Sequence, residues 1–114
     1  MGNKPVIIGL EVSKKQQNWN TFLADVVDDV IKQIFKEDGA KVIYNFLETH
    51  AQLKLEDVAN RPKVFSESIQ TLMLSAANIV EQNILISLYS KLGIKFEDKK
   101  GYKFADYIQE LMKE

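Results

Sequence analysis

Between Phe22 and Phe35 the apolar residues come in adjacent pairs, Phe22-Leu23, Val26-Val27, Val30-Ile31 and Ile34-Phe35, each pair four positions after the last. A strand sends successive side chains to opposite faces, so such pairs suit no half-buried strand. A helix of 3.6 residues per turn gathers all of them on one broad stripe. That stripe cannot be buried by one helix alone, and the rest of the chain must supply surfaces to cover it. Asp25, Asp28 and Asp29 precede Lys32 and Lys36, the order that complements a helix dipole. Asp38-Gly39 reads as the stop, with Gly39 suited to the left-handed position after a helix end.

The remaining segments carry the same period. A second helix is expected from about Ala40 to Ala51, with Ala40, Ile43, Leu47 and His50 on one face and Val42 and Phe46 beside them. Leu53, Leu55 and Val58 punctuate a polar link that has room for one helical turn. Pro62 fits the first position of a third helix, capped by Asn60 or Arg61 and burying Phe65, Ile69, Leu72 and Met73. A break is expected near Ser75. The fourth helix then runs to Leu92, with Gly93 as its stop. Its seam is Ala77, Val80, Ile84, Leu88 and Leu92, yet Ile79 and Ile86 lie on another side, so this helix is expected to be buried on most of its circumference, as the central helix or as an oligomer contact. The segment Ile94 to Phe104 alternates and reads either as a small hairpin or as a loop that staples its aromatics onto the helices. A last helix, about Phe104 to Lys113, presents Tyr107, Ile108, Leu111 and Met112. Phe35, Phe46, Phe65, Ile84 and Leu88 are the predicted core. At the other end, Val6 to Val12 is β-branched and follows Pro5, a composition suited to a short strand or extended arm. The expected fold is therefore all-α, a compact bundle of about five helices over residues 18–114 with a strand-like arm over 1–17.

With 114 residues, 46% of them hydrophobic, the chain has material for one core. Fifteen Lys and Arg against sixteen Asp and Glu leave a net charge of -1, without the bias of a dedicated nucleic-acid or polybasic membrane binder. The absence of cysteine removes disulfides, thiolate metal sites and thiol chemistry, and a single histidine, His50, removes any multi-histidine site within one subunit. The apolar run at Val6 to Val12 is far shorter than the roughly 20 residues that span a bilayer. The expectation is a soluble, cytoplasmic protein with no membrane partner.

No glycine-rich phosphate loop, Gly-x-Ser-x-Gly elbow, His-Glu-x-x-His or Glu-x-x-His occurs. His50 could act with Glu48, but residues two apart on a helix diverge, and a structural or solvent-lined histidine is the preferred reading. Asp25, Asp28 and Asp29 could offer oxygens to a divalent cation, although Lys32 lies in reach and a solvated face is favoured. Lys91, Lys95, Lys99, Lys100 and Lys103 surround Phe96, Tyr102 and Phe104, a pattern that could suit single-stranded nucleic acid, with Lys95, Lys99, Lys100 and Lys103 as the weak candidate contacts. Glu97 and Asp98 interrupt it, and a charged turn with inward aromatics is preferred. Trp19 is read as packing on the bundle.

From Gly39 onward the order of features resembles the Nitrosopumilus output domain family, an archaeal family of unknown biochemical function. The stretches that carry the resemblance are Gly39-Ala40-Lys41-Val42-Ile43-Tyr44, Leu55-Glu56-Asp57-Val58, Arg61-Pro62-Lys63-Val64-Phe65, Leu88-Tyr89-Ser90-Lys91-Leu92-Gly93 and Gly101-Tyr102-Lys103-Phe104-Ala105-Asp106-Tyr107-Ile108. They are packing and turn signatures within roughly 25–111, and none is catalytic. The resemblance implies an all-α module that in some members forms the C-terminal output part of signalling proteins. Glycines expected between the third and fourth helices are replaced here by Ser75, Ala76 and Ala77.

The sequence thus leads to a non-enzymatic helical interaction or output module in archaeal signalling or regulation, without cofactor, metal or catalytic residues. A homodimer and an unidentified protein partner are expected, with Ile79, Ile86, Val6 and Ile8 as the candidate interface. The alternative is a nucleic-acid-associated regulator using the lysine and aromatic turn at 91–104, with nucleic acid the less favoured partner. A small-ligand-binding bundle comes third.

Overall fold

The computed structural model describes residues 4–113, with side chains from Asn18 onward. It is all-α: α1 (Lys4–Ala51), α2 (Pro62–Met73), α3 (Ala77–Leu92) and α4 (Phe104–Met112), with single 3-10 turns at Leu55–Asp57 and Leu74–Ala76. No strand occurs among the described residues. Four α-helices stand where about five were expected, because the first two expected helices meet at a kink inside α1 with no connecting segment between them.

The strand-like arm expected over 1–17 is also corrected, since helix begins at Lys4. A strand there would need a partner ladder, which the described residues do not offer, whereas a helix satisfies its own backbone groups and tolerates valine and isoleucine at small cost.

Within α1 the direction changes at Lys36, whose φ of 65° and ψ of -177° are not helical. Helical geometry resumes at once, so 37–51 forms a second arm joined to the first without a loop. Gly39, expected to take the left-handed conformation, does not; among the described glycines only Gly93 and Gly101 have positive φ. Its role is spatial, since a Cβ on Gly39 would stand 2.7 Å from the Cβ of Phe35. Across the bend the Tyr44 hydroxyl donates to Asp28 Oδ1, and Lys32 pairs with Asp28 at 3.1 Å and with Glu37 at 3.7 Å. Burial first, and then the hydrogen bond to Asp28, drive the Tyr44 phenol far above its ordinary range, so it remains a donor at any physiological pH. Asp28 thus pairs with Lys32, as its reach allowed, and also accepts from Tyr44, a partner the sequence did not indicate.

At the far end of α1, Gln52 takes a positive φ of 52°. The Arg61 guanidinium donates to the carbonyls of Ala51 (3.0 Å) and Gln52 (3.1 Å), so the side chain that precedes α2 closes α1 and places a cation at its negative pole. Pro62 opens α2 as expected. The break near Ser75 is present, and its turning residue is Leu74, with φ 55° and ψ -130°. By length and composition Pro62–Leu92 is apolar enough to cross a membrane, but this break divides it into helices of 12 and 16 residues. Those are roughly 18 and 24 Å long, shorter than a 30 Å hydrocarbon core. α3 ends as predicted at Gly93, in the left-handed conformation at φ 71°, with the Ile94 amide donating to the Tyr89 carbonyl at 3.0 Å.

The core lies where α1 meets α2 and α3, with α4 closing the other side of α2 and α3. Leu23, Val27 and Ile31 of α1 pack with Phe65 and Ile69 of α2, Ile84 and Leu88 of α3, and Ile108 of α4, all fully enclosed. Of the predicted core, Phe65, Ile84 and Leu88 are buried; Phe35 and Phe46 are only half-buried, a correction. Phe46 lies on the outer side of the second arm, where it stacks on His50 with centroids 4.9 Å apart.

Candidate functional site

α3 is hydrophobic around most of its circumference, and the other helices cover only part of it. Val80, Ile84, Leu85 and Leu88 face the core, while Ile79 and Ile86 remain 60% and 48% exposed. The other helices therefore leave one side of α3 uncovered. Two turns of helix separate Ile79 from Ile86, which places them on one stripe with Asn83 between them. The Asn83 amide donates to the Ile79 carbonyl at 2.8 Å, so it can be covered without losing that partner. Between Ala77 and Ser90 the helix carries a single ionisable carboxylate, Glu81, and that residue is buried. The outward face from Asn78 to Ser90 thus presents apolar, amide and hydroxyl groups with no charge. Charge depletion of this kind distinguishes the centre of a protein interface from ordinary surface. Leu74, at the turn before α3, is 75% exposed. Val6 and Ile8, the other candidate interface residues, lie outside the residues whose side chains are described.

The lysine and aromatic turn follows α3 directly. Two of its three aromatics point inward as preferred: Phe96 packs edge-on against Tyr89 at 5.1 Å and tilted against Tyr107 at 5.4 Å, and Phe104 is buried beside Phe65 at 5.6 Å, whereas Tyr102 is 38% exposed, a correction. No hairpin forms; the segment is the stapling loop. The Tyr107 hydroxyl accepts from the Lys99 amide at 2.7 Å and donates to Asp98 at 3.2 Å, which holds the turn to α4. Lys99 pairs with Glu110 at 2.8 Å and lies 5.0 Å from the Tyr102 ring centroid. The backbone amide of Lys103 donates to Asp106 at 2.8 Å at the start of α4. Lys95, Lys99, Lys100 and Lys103 are all exposed, and of Phe96, Tyr102 and Phe104 only Tyr102 is exposed, its ring set edge-on against Tyr107 at 5.0 Å.

Glu110 is held below the ordinary carboxylate range by the Lys99 ammonium and then by the Tyr102 hydroxyl, which donates to it at 2.8 Å. A carboxyl whose folded value is depressed contributes its interaction above the unfolded value and loses it as pH falls through the folded one. Glu110 should accordingly titrate in NMR below the peptide value of about 4.3. Lys99→Ala should move that midpoint up, and an unmoved midpoint would show that the pair is not formed in solution.

One group of polar residues was not singled out from the sequence. Glu81 of α3 is 9% exposed, Ser66 Oγ of α2 donates to its Oε2 at 2.6 Å, and Gln70 Nε2 lies 3.4 Å from the same oxygen. They line a cleft of about 340 Å³ that reaches Tyr102, Lys103 and Tyr107. The available signal was Glu81 itself, a carboxylate one position from Val80 and three from Ile84 on the apolar seam. His50 is exposed, and Trp19 is half-buried, tilted against Phe22 at 6.0 Å. Neither joins a cluster of metal-ligating side chains among the described residues.

No family model matches the chain, and neither a curated protein nor a solved structure matches it.

Proposed function

We propose that this chain is a non-enzymatic helical interaction module that self-associates as a homodimer through the outward face of α3. The observation that carries the reading is the charge-free stripe containing Ile79 and Ile86, apolar side chains left open by a helix otherwise given to the core. A two-fold partner would bring the same stripe against itself, with Asn83 between the isoleucines available to set register. The resemblance to the Nitrosopumilus output domain family adds the wider context, an output part in archaeal signalling or regulation acting in the cytoplasm through protein contacts. The nucleic-acid alternative is less favoured because the turn's rings are engaged with α3 and α4 and Lys99 is paired. Salt-dependent binding to single-stranded nucleic acid would restore it.

Light scattering at tens of micromolar should return the mass of a dimer. Ile79→Lys combined with Ile86→Lys should return a monomer with an unchanged helical spectrum, because both side chains already reach solvent. A wild-type monomer at that concentration would overturn the reading.

A further inference from the structure

The cleft beneath Glu81 has features that self-association does not use. Both polar neighbours of the carboxylate, Ser66 and Gln70, are neutral and both approach Oε2. No lysine or arginine forms an ion pair with Glu81 among the described residues. Oε1 receives no hydrogen bond among the described residues, and the Glu81 side chain lines the cleft. A carboxylate removed from water on most sides, with one oxygen satisfied and the other free, gains most from a ligand that brings positive charge and N–H donors.

The remaining lining agrees. Tyr102 and Tyr107 contribute rings, Asn78 and Gln82 contribute amides, and the charged groups are Glu81 and Asp98 against one lysine, Lys103. An anion would meet two carboxylates. A divalent metal would lack ligands, since no group of three metal-ligating side chains occurs among the described residues. An organic cation finds both a carboxylate and the partly exposed ring of Tyr102. Tyr102 already shows this preference within the fold, with the Lys99 ammonium 5.0 Å from its ring centroid.

We propose that the cleft formed by Ser66, Gln70, Glu81, Tyr102 and Tyr107 binds an alkylammonium or guanidinium group, with the Glu81 carboxylate as its counter-ion. The group could arrive on a free amine or on a lysine or arginine side chain of a polypeptide, and the chemistry of capture is the same. The cleft is formed within one chain, and it shares Asn78 and Gln82 with the outward face of α3.

Butylamine, agmatine and Nα-acetyl-lysine-N-methylamide are to be titrated into the isotope-labelled full chain at constant ionic strength. Saturable shifts are expected at the amides of Ser66, Gln70, Glu81 and residues 98–107. Glu81→Gln keeps the shape and removes the charge, and should weaken binding by about tenfold or more, the scale of one charge-assisted hydrogen bond. Gln82→Glu adds a carboxylate to the exposed part of the lining and should tighten it, so the proposal stays testable even if Glu81→Gln fails to fold. Tighter binding of the acetylated lysine amide than of butylamine would identify a polypeptide side chain as the source, and the reverse a free amine. Shifts that rise linearly with concentration for all three compounds, or equal binding by the wild type, Glu81→Gln and Gln82→Glu, would overturn the proposal.

Discussion

Phe65→Ala should lower the unfolding free energy by about 3–5 kcal/mol, the range for deleting an aromatic ring from an enclosed site. Phe65 has no exposed surface and sits where α2 meets α4, its ring tilted at 41° to that of Phe104. The helices on either side are held by their own backbone bonds and by contacts with α1 and α3, so the site cannot collapse fully around the void and the cavity term persists. Urea denaturation followed by circular dichroism reads the loss. Phe46→Ala is the internal comparison, because Phe46 is half-buried and stacks only on exposed His50. If the two substitutions cost the same, Phe65 is not in the rigid centre of the core.

That comparison also shows how much of the fold was legible in the sequence. Periodicity identifies the face a helix turns inward, and it did so for Leu23, Val26, Val27, Val30 and Ile31, and for Phe65, Ile69, Ile84 and Leu88, all buried. It does not say how far that face extends before the neighbouring helix runs out. Ile34, Phe35 and Phe46 lie beside the bend in α1 or on its outer side, where less of the bundle reaches them. The end of α3 was legible because Gly93 adopts the geometry for which glycine is selected. The bend is not legible because its turning residue is a lysine, Lys36, while the glycine that signals a helix stop, Gly39, lies three residues on in helical geometry. The same limit governs the candidate site. Ile79 and Ile86 could be seen to leave the seam, but whether they meet another helix or solvent depends on the tertiary arrangement. Glu81 carries no local signal of its environment because its partners, Ser66 and Gln70, lie on a different helix, at 15 and 11 residues' remove.

The bend itself makes the second large prediction, and it runs against helix propensity. Lys36, at φ 65° and ψ -177°, occupies a region open essentially only to glycine, at a cost of about 1–3 kcal/mol for any other residue. Lys36 is exposed and forms no ion pair among the described residues, so its side chain offers little to lose. Lys36→Gly should therefore raise stability by about 1 kcal/mol or more, where a glycine placed inside a continuous exposed helix would lower it by about that amount. Gly39→Ala should act in the opposite sense. Alanine is the better helix former, yet its Cβ would come within 2.7 Å of the Phe35 Cβ, closer than carbon atoms can stand. Phe35 is half-buried against the core and the Tyr44–Asp28 hydrogen bond fixes the two arms, so relief requires opening the bend. The expected loss is about 1–3 kcal/mol, as for overpacking elsewhere. Denaturant midpoints for the two variants and for the double variant decide the matter. If Gly39→Ala stabilises and Lys36→Gly destabilises, α1 passes residue 36 as an unbroken helix in solution. In that event the arm 37–51 could not fold back onto Asp28, and the Tyr44 hydrogen bond would not exist.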